Sequence, residues 1–452
     1  VVDQRGFMFS KWFTQAKRST ARKVVVSLLS VVCLWLVGSS AAVAVIEIEI
    51  TQGGESAIPI AIVPFGWEGG GSPPADVAGI VSADLQRSGN FSPLNSDDLI
   101  GRPVSGDKPR FGNWRIAGAE FLLIGAIDKS GENFNVEFQL FDVSQQRLLS
   151  GFNFKVTTQT LRNAAHQIAD EVYEEVLGIR GAFNTQIAFV SVEREGSKKS
   201  YKLQLADADG QNPQAMLTSP RPILSPSWAP DGVRIAYVSF ENRNRSAIYV
   251  QDRQQGSRKK LISKEGINGA PSWSPDGRRL AVTLSFEGNP DIYVLNVDDG
   301  QTRRITTSPA IDTEAVWADD DTLIFTSDRS GGPQLYEVSS SGGRAERITF
   351  EGSYNASASV SSDGTNVAFV HGSDIGFQIG TFDRELGLFQ TLTDGSLDES
   401  PSFAPNGQMI IYATEKGGRE TLGAVSLDGS VVQSLSLDTG GVREPAWSPF
   451  TN

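Results

Sequence analysis

Few residues in this chain are equipped for covalent chemistry. It has two histidines, His166 and His371, and one cysteine, Cys33. Neither histidine has a ligand-spaced partner near it in sequence, so the pattern of a zinc or catalytic histidine site is missing. No Gly-x-Ser-x-Gly run occurs, and a hydrolase built on an α/β sheet needs one as its nucleophile elbow. What remains is a set of carboxylates and small polar groups: Asp312 with Thr313 and Glu314, Asn355, Asp398 with Glu399 and Ser400, Arg443 with Glu444, and the uncharged run Ile267, Asn268, Gly269, Ala270. Such oxygens suit a hard cation, a solvated acidic rim, or recognition of another protein, and no coordination loop is spelled out among them. From these residues no catalytic residue, no metal and no cofactor is expected.

These residues are placed by a repeat, read most cleanly as PSWSPDGRRLAVTLSFEGNPDIYVLNVDDGQTRRITT from Pro271 to Thr307. Aligned on the aromatic or apolar residue of its first strand, the copies fall at Trp228, Trp273, Trp317, Val360, Phe403 and Trp447, spaced 45, 44, 43, 43 and 44 residues apart. A period in the low forties with four short strands per copy defines a β-propeller, here of six blades. Within a copy, Pro-Asp-Gly turns the chain between the first two strands, because proline presets the turn and glycine tolerates positive φ. That turn decays to Asp319-Asp320-Asp321 in the third copy. The last copy stops after Pro445-Ala446-Trp447, while Ile187 to Thr218 supplies three strands, so one blade is expected to be built from both ends of the repeat region.

The loops entering the first strands crowd around the channel mouth on one face, and the Pro-Asp-Gly turns lie on the other. They are Ile267–Ala270, Ile311–Glu314, Ser353–Asn355, Leu397–Ser400 and Val442–Glu444, and they differ between copies although the strands after them do not. Unlike loops on a rigid ring suit recognition.

The rest of the chain reads as an address and a second domain. Arg5, Lys11, Lys17, Arg18, Arg22 and Lys23 precede the apolar run Val24 to Val37, and Ala42-Val43-Ala44 follows, as in a secretory signal cleaved after Ala44. The competing reading is a membrane anchor, for which the run is shorter than the roughly 20 residues a spanning helix needs. Residues 1–44 carry +5 of a formal total of −13, leaving −18 for the remainder. So acidic a chain is a poor nucleic-acid binder. Cys33 lies inside the apolar run, so the processed chain has no thiol and no disulfide. Residues 57–181 are expected to form an α/β domain, with a strand at Ile58 to Phe65, a helix at Ala75 to Arg87, strands at Glu120 to Asp128, Phe134 to Val143 and Arg147 to Thr157, and a helix from Thr160 to Leu177. A short hinge, Gly178 to Gly181, leads into the propeller at 182–452. Between signal and domain, Val45 to Gln52 alternates apolar and acidic residues before Gly53-Gly54-Glu55-Ser56. This segment is either an edge strand of the α/β domain or a detachable strand that adds to a partner's sheet.

The run LRNAAHQIADEVYEEVLGIRGAFNTQIAFVS (161–191), the strand AIPIAIVPFGW (57–67) and the PSWAPDG and PSWSPDG repeats resemble the TolB family, the periplasmic component of the Tol–Pal system of Gram-negative bacteria. The resemblance runs through the whole processed chain in the same order. It implies a non-catalytic periplasmic protein that binds the outer-membrane lipoprotein Pal through the propeller and TolA through its N-terminal peptide, here Val45, Ile46, Glu47, Ile48, Glu49 and Ile50. The system it implies supports outer-membrane integrity and constriction at division, and colicins exploit it for import. Other outer-membrane proteins are further partners, a small-molecule substrate is not expected, and the protein is expected to be a monomer. By resemblance, Ile267 to Ala270 and Thr313 lie where such proteins touch Pal. Ile267 is a departure, since a polar residue, often histidine, is expected there. Two other readings stay open: a generic periplasmic scaffold with different partners, and a propeller hydrolase or lyase working through a carboxylate pair.

Overall fold

A computed structural model describes residues 57–450 apart from 243, 244, 436, 438 and 439. The expected signal and the Val45–Ser56 peptide lie outside the described residues.

The N-terminal region runs β1 (Ile58–Ile62), β2 (Gly66–Trp67), α1 (Val77–Arg87), β3 (Phe91–Pro93), α2 (Phe111–Ile116), β4 (Phe121–Ser130), β5 (Asn133–Asp142), β6 (Arg147–Thr157) and α3 (Leu161–Leu177). The sheet order is β3-β1-β4-β5-β6, parallel at β1 and antiparallel from β4 onward. Helix α1 starts where the Asp76 side chain accepts the N–H of Gly79, satisfying one of the open donors of a helix start. Helix α3 stops at Gly178, whose φ of 70° suits a residue without Cβ. Val77, Val81 and Leu85 of α1 and Leu161, Ala165, Ile168 and Val172 of α3 each bury a helical stripe in one core, α1 against α3, β1 and β3, and α3 also against β5 and β6. The expected elements are present with shifted ends; α2 and β3, not anticipated, are too short to show a period in sequence.

The propeller consists of six four-stranded antiparallel sheets. Its second blade is Asn268–Trp273, Arg279–Leu284, Asp291–Asn296 and Thr302–Arg304. The Pro-Asp-Gly turn of that blade works as its residues dictate: Gly277 has φ 66°, and Asp276 accepts from Ser274 Oγ at 2.5 Å and from the Arg278 N–H at 3.0 Å. In the third blade Asp319 replaces this device, accepting the N–H groups of Asp321 and Thr322 at 2.8 Å each.

Blades are fastened to one another through their first strands. The indole N–H of Trp228 donates to the Ala446 carbonyl at 3.0 Å, that of Trp273 to Ser227 at 3.2 Å and that of Trp317 to Ser272 at 3.1 Å, each reaching the preceding blade. Arginines cover all three rings, Arg253 over Trp228, Arg234 over Trp273 and Arg279 over Trp317, at 5.8, 4.7 and 4.6 Å from ring centroids. The sixth blade joins Gly441–Trp447 to Gln186–Glu195, Lys198–Asp207 and Gln214–Ser219. The ring therefore has no open sheet edge between first and last blade.

One detail differs from the sequence reading. Most of the residues taken as loops entering the first strands already belong to those strands, which begin at Asn268, Asp312, Tyr354, Glu399 and Gly441, so that only Ile267, Ile311, Ser353, Leu397 and Asp398 precede them. A β-bulge follows at once, with one residue per blade in the left-handed region: Ser225, Ala270, Glu314, Ser357, Ser400 and Glu444, at φ between 46° and 55°. None is glycine, so no sequence punctuation marks them.

Candidate functional site

The channel mouth on the face opposite the Pro-Asp-Gly turns brings the sequence-predicted residues together in two layers. The outer layer is an arc of exposed aliphatic side chains. Ile267, Ile311 and Leu397 precede three first strands and are 49, 40 and 39 % exposed, and Ile375, at the tip joining the second and third strands of the fourth blade, is 59 % exposed. Thr313 sits half-buried beside Ile311, its hydroxyl 3.3 Å from that of Thr283.

The inner layer is polar and buried. Asn268, Asp312, Asn355 and Asp398, predicted as part of the contact surface, are essentially inaccessible. Their side chains hold the rim from beneath. Asn268 accepts the Lys264 N–H at 2.7 Å and donates to the Lys264 carbonyl at 2.8 Å, closing the turn that displays Ile267. Asp312 receives both bonds from Nη2 of Arg329 at 2.8 Å, while the Ile311 N–H donates to Asp328 at 2.8 Å. Asn355 donates to Gln334 and to the Glu351 carbonyl at 2.8 Å each, and its Oδ1 lies 2.8 Å from Nδ1 of His371. Burial holds the His371 imidazole below its ordinary pKa, so it stands there as a neutral donor, a structural role. Asp398 accepts from Thr414 Oγ1 at 2.6 Å, and burial pushes its carboxyl up. Asn268 and Asp312 open their inner strands, Asn355 is the second residue of its own and Asp398 immediately precedes its own, and all four side chains are buried.

Below the rim the channel is acidic. Glu314, Glu399 and Glu444 interact across it, and the bulge positions of Glu314 and Glu444 aim their carboxylates at neighbouring blades. Glu314 accepts the Ser357 N–H at 3.2 Å and Glu444 accepts the Ser225 N–H. Burial pushes Glu444 up to about 7, with the other two glutamates adding to the shift against the Ser225 N–H and Arg443. Glu399 is also raised, chiefly by burial. Arg443 is turned to Glu420, which takes both its bonds at 2.6 and 2.7 Å. Gly269, Ala270 and Ser400 lie between the layers, half-buried, and contribute backbone shape.

Sequence reasoning missed a second assembly, between the two parts of the protein. Asp84, His166 and Asp209 bring one donor atom each to within 4.8 Å of one another, although they are scattered over 125 residues of sequence. Arg87 pairs with Asp84, and Arg162 pairs with Asp209 and with Asp207. With Arg87 on Asp84 and Arg162 shared between Asp207 and Asp209, this is a network of side-chain charges and not a cation cage.

Fold and site together define a two-part propeller protein: a small α/β region packed on a six-bladed ring whose open mouth carries a rigid apolar rim over a carboxylate-lined channel. Residues 46–149 match the TolB amino-terminal domain and residues 173–451 the TolB beta propeller domain. The chain belongs to the TolB family. It is 53 % identical over 432 residues to the Tol-Pal system protein TolB of Thioalkalivibrio sulfidiphilus, covering 95 % of this chain and 98 % of that one. It is 48 % identical to the Tol-Pal system protein TolB of Xanthomonas campestris pv. campestris, over 90 % of this chain and 93 % of that one. The crystal structure of TolB from Acinetobacter baumannii superposes with a TM-score of 0.82 at 41 % identity, covering 90 % of this chain and all of that one. Among the described residues no helix is long and apolar enough to cross a membrane.

Proposed function

We propose that this protein is the periplasmic, non-catalytic binding component of a Tol–Pal system, taking Pal on the propeller mouth and TolA on the peptide from Val45 to Ile50. In that role it links the outer membrane to its inner-membrane partner and supports envelope integrity and constriction at division. Colicins that use the system for import would meet the same protein. The observation that carries the reading is the arc of Ile267, Ile311, Ile375 and Leu397, exposed together on turns braced by Asn268, by Asp312 and by the backbone bonds that tie Phe377 to Ser396 and Asp398. Exposed aliphatic side chains pre-ordered around a concavity gain apolar burial on docking at little entropic cost. Family membership supports Pal as the partner, and the absence of a nucleophile elbow in the sequence supports a non-enzymatic role.

The test is a calorimetric titration of Val45 to Asn452 with the periplasmic domain of Pal from the same organism, alongside the double variant Ile267→Asp, Thr313→Arg. Tight binding by the wild type and its loss in a variant of unchanged circular dichroism is the expected result. Absence of wild-type binding would return the protein to the reading of a scaffold with other partners. For the TolA assignment, removing Val45 to Ser56 should abolish capture by the periplasmic part of TolA and leave the propeller folded.

A further inference from the structure

The α/β region and the propeller meet across a seam of buried charge. Asp84 and Arg87 come from α1, Arg162, His166 and Asp170 from α3, and Asp207 and Asp209 from the propeller turn after the strand Lys198–Asp207. Asp84 and His166 are each 1 % exposed and Asp209 is 6 % exposed. Arg87 clasps one oxygen of Asp84, and the other oxygen lies 2.6 Å from Nδ1 of His166. Arg162 reaches over to the propeller, donating from Nε to Asp207 at 3.1 Å and from Nη2 to Asp209. The second ring nitrogen of His166, Nε2, is buried without a hydrogen-bond partner, 4.0 Å from Oδ2 of Asp209.

The proton inventory follows from these contacts. Burial pushes Asp84 up, but the charges of His166 and Arg87 outweigh it and hold the carboxyl below its ordinary range. Asp84 is therefore an acceptor, and Nδ1 of His166 carries a hydrogen. If the ring is neutral, Nε2 turns a lone pair toward the Asp209 carboxylate, two acceptors face to face with no donor between them. The seam then holds two guanidiniums against the three carboxylates Asp84, Asp207 and Asp209. One proton on Nε2 supplies both the missing donor and the missing positive charge.

We propose that His166 is a proton-operated clamp between α3 and the propeller: protonated, its Nε2–H is donated to Asp209 and the junction tightens, and deprotonated, that bond is lost and the junction loosens. The proton comes from solvent and returns to it. Histidine is suited to the task because its ordinary pKa of about 6.5 lies between the acidic and neutral conditions a cell surface meets. Asp170, one helical turn on, works in the same direction. Its carboxylate accepts the N–H groups of Phe183 and Asn184 at 2.7 and 3.1 Å, and burial pushes it up to about 7. A carboxyl raised on folding stabilises most at low pH, and that contribution is lost as pH rises toward 7. Asp84, depressed on folding, weakens the seam only below its ordinary range near pH 4.

The experiment is proton NMR of the ring Hε1 signals of the protein as the cell makes it, combined with amide hydrogen exchange from pH 5 to 8, corrected for intrinsic rates. The two histidines are distinguished with His371→Gln. Expected are titration of His166 within that range and roughly tenfold greater protection of α3 and residues 207–212 at pH 6 than at pH 8, as a charge-assisted hydrogen bond supplies. In His166→Gln the pH dependence at 207–212 should vanish, while that of the Asp170-held residues 181–184 persists; Asp209→Asn should lower the pH at which His166 titrates. An imidazole that does not titrate between pH 5 and 8 in the wild type, or equal pH dependence in wild type and His166→Gln, overturns the clamp. Should His166→Gln fail to fold, the wild-type titration and the Asp209→Asn shift decide alone.

Discussion

At the level of single residues, the buried posts beneath the rim carry more of the site than the side chains a partner would touch. Asp312 is inaccessible and depends on Arg329 for both of its bonds. Arg329→Met should leave that charge uncompensated and cost about 3–5 kcal/mol, read as a lower urea midpoint with unchanged slope, together with weaker Pal binding through a loosened Ile311 turn. Glu444 gives a prediction with a pH sign. Its carboxyl is raised to about 7 on folding, so its contribution is fully favourable below its unfolded pKa near 4.5 and is lost as pH rises through 7. Glu444→Gln keeps an acceptor for the Ser225 N–H and removes the titration. The variant should match the wild type near pH 4.5 and exceed it by roughly 2–3 kcal/mol at pH 8, measured by urea unfolding at both values. Little of this was legible in the sequence. Asp312 and Asn355 look like surface polar residues in a variable loop, and only pairing with Arg329 and Gln334, which lie beyond an intervening strand, shows them as interior.

At the level of elements, the repeat declared nearly everything that packing enforces and little that backbone strain creates. The Trp and Pro-Asp-Gly positions recur because three neighbouring blades share one indole clasp and most blades share one turn. The six bulges stayed hidden because Ser, Ala and Glu occupy a left-handed conformation that usually calls for glycine. One place where glycine is required ties two elements of the rim together. Gly376 has φ 132°, and a Cβ there would lie 2.2 Å from the Ser396 carbonyl oxygen. Through this approach the Phe377 N–H donates to Ser396 at 3.1 Å and Leu397 bridges to Phe377. Gly376→Ala should push the fourth-blade hairpin away from the turn carrying Leu397, costing on the order of 1–3 kcal/mol and weakening Pal binding several-fold by calorimetry. Helix α1 shows the same limit of periodicity: Val77, Val81 and Leu85 announce a buried stripe, but Asp84, equally buried, reads as solvent-facing until its partners on α3 are known.

At the level of the whole molecule, six sheets become one ring because the sixth is assembled from distant parts of the chain. Trp447 pairs with Ile187, Ser448 exchanges two hydrogen bonds with Gln186, and the Trp447 indole donates to Thr185 at 2.8 Å. Removing residues 445–452 should expose the edge of Gln186–Glu195 and speed limited proteolysis within residues 186–219 roughly tenfold or more, far beyond the effect of trimming a loose tail. The architecture itself was readable, since a period near 44 with a partial last copy admits few other arrangements, whereas the charged seam between the two parts was not, its members having no spacing in common. The closing contact also sets an order of events in time. Gln186 and Ser448 are 262 residues apart, while each of the other blades pairs strands joined by short turns, so bringing these two together costs about 3 kcal/mol more in chain entropy than closing a ten-residue hairpin. Five blades can form locally before the sixth exists. The slow step in reaching the native state is then the arrival of a single late strand, and because that strand also grips Thr185, just past the hinge that follows α3, the same arrival completes the ring and fixes the segment by which the chain enters it.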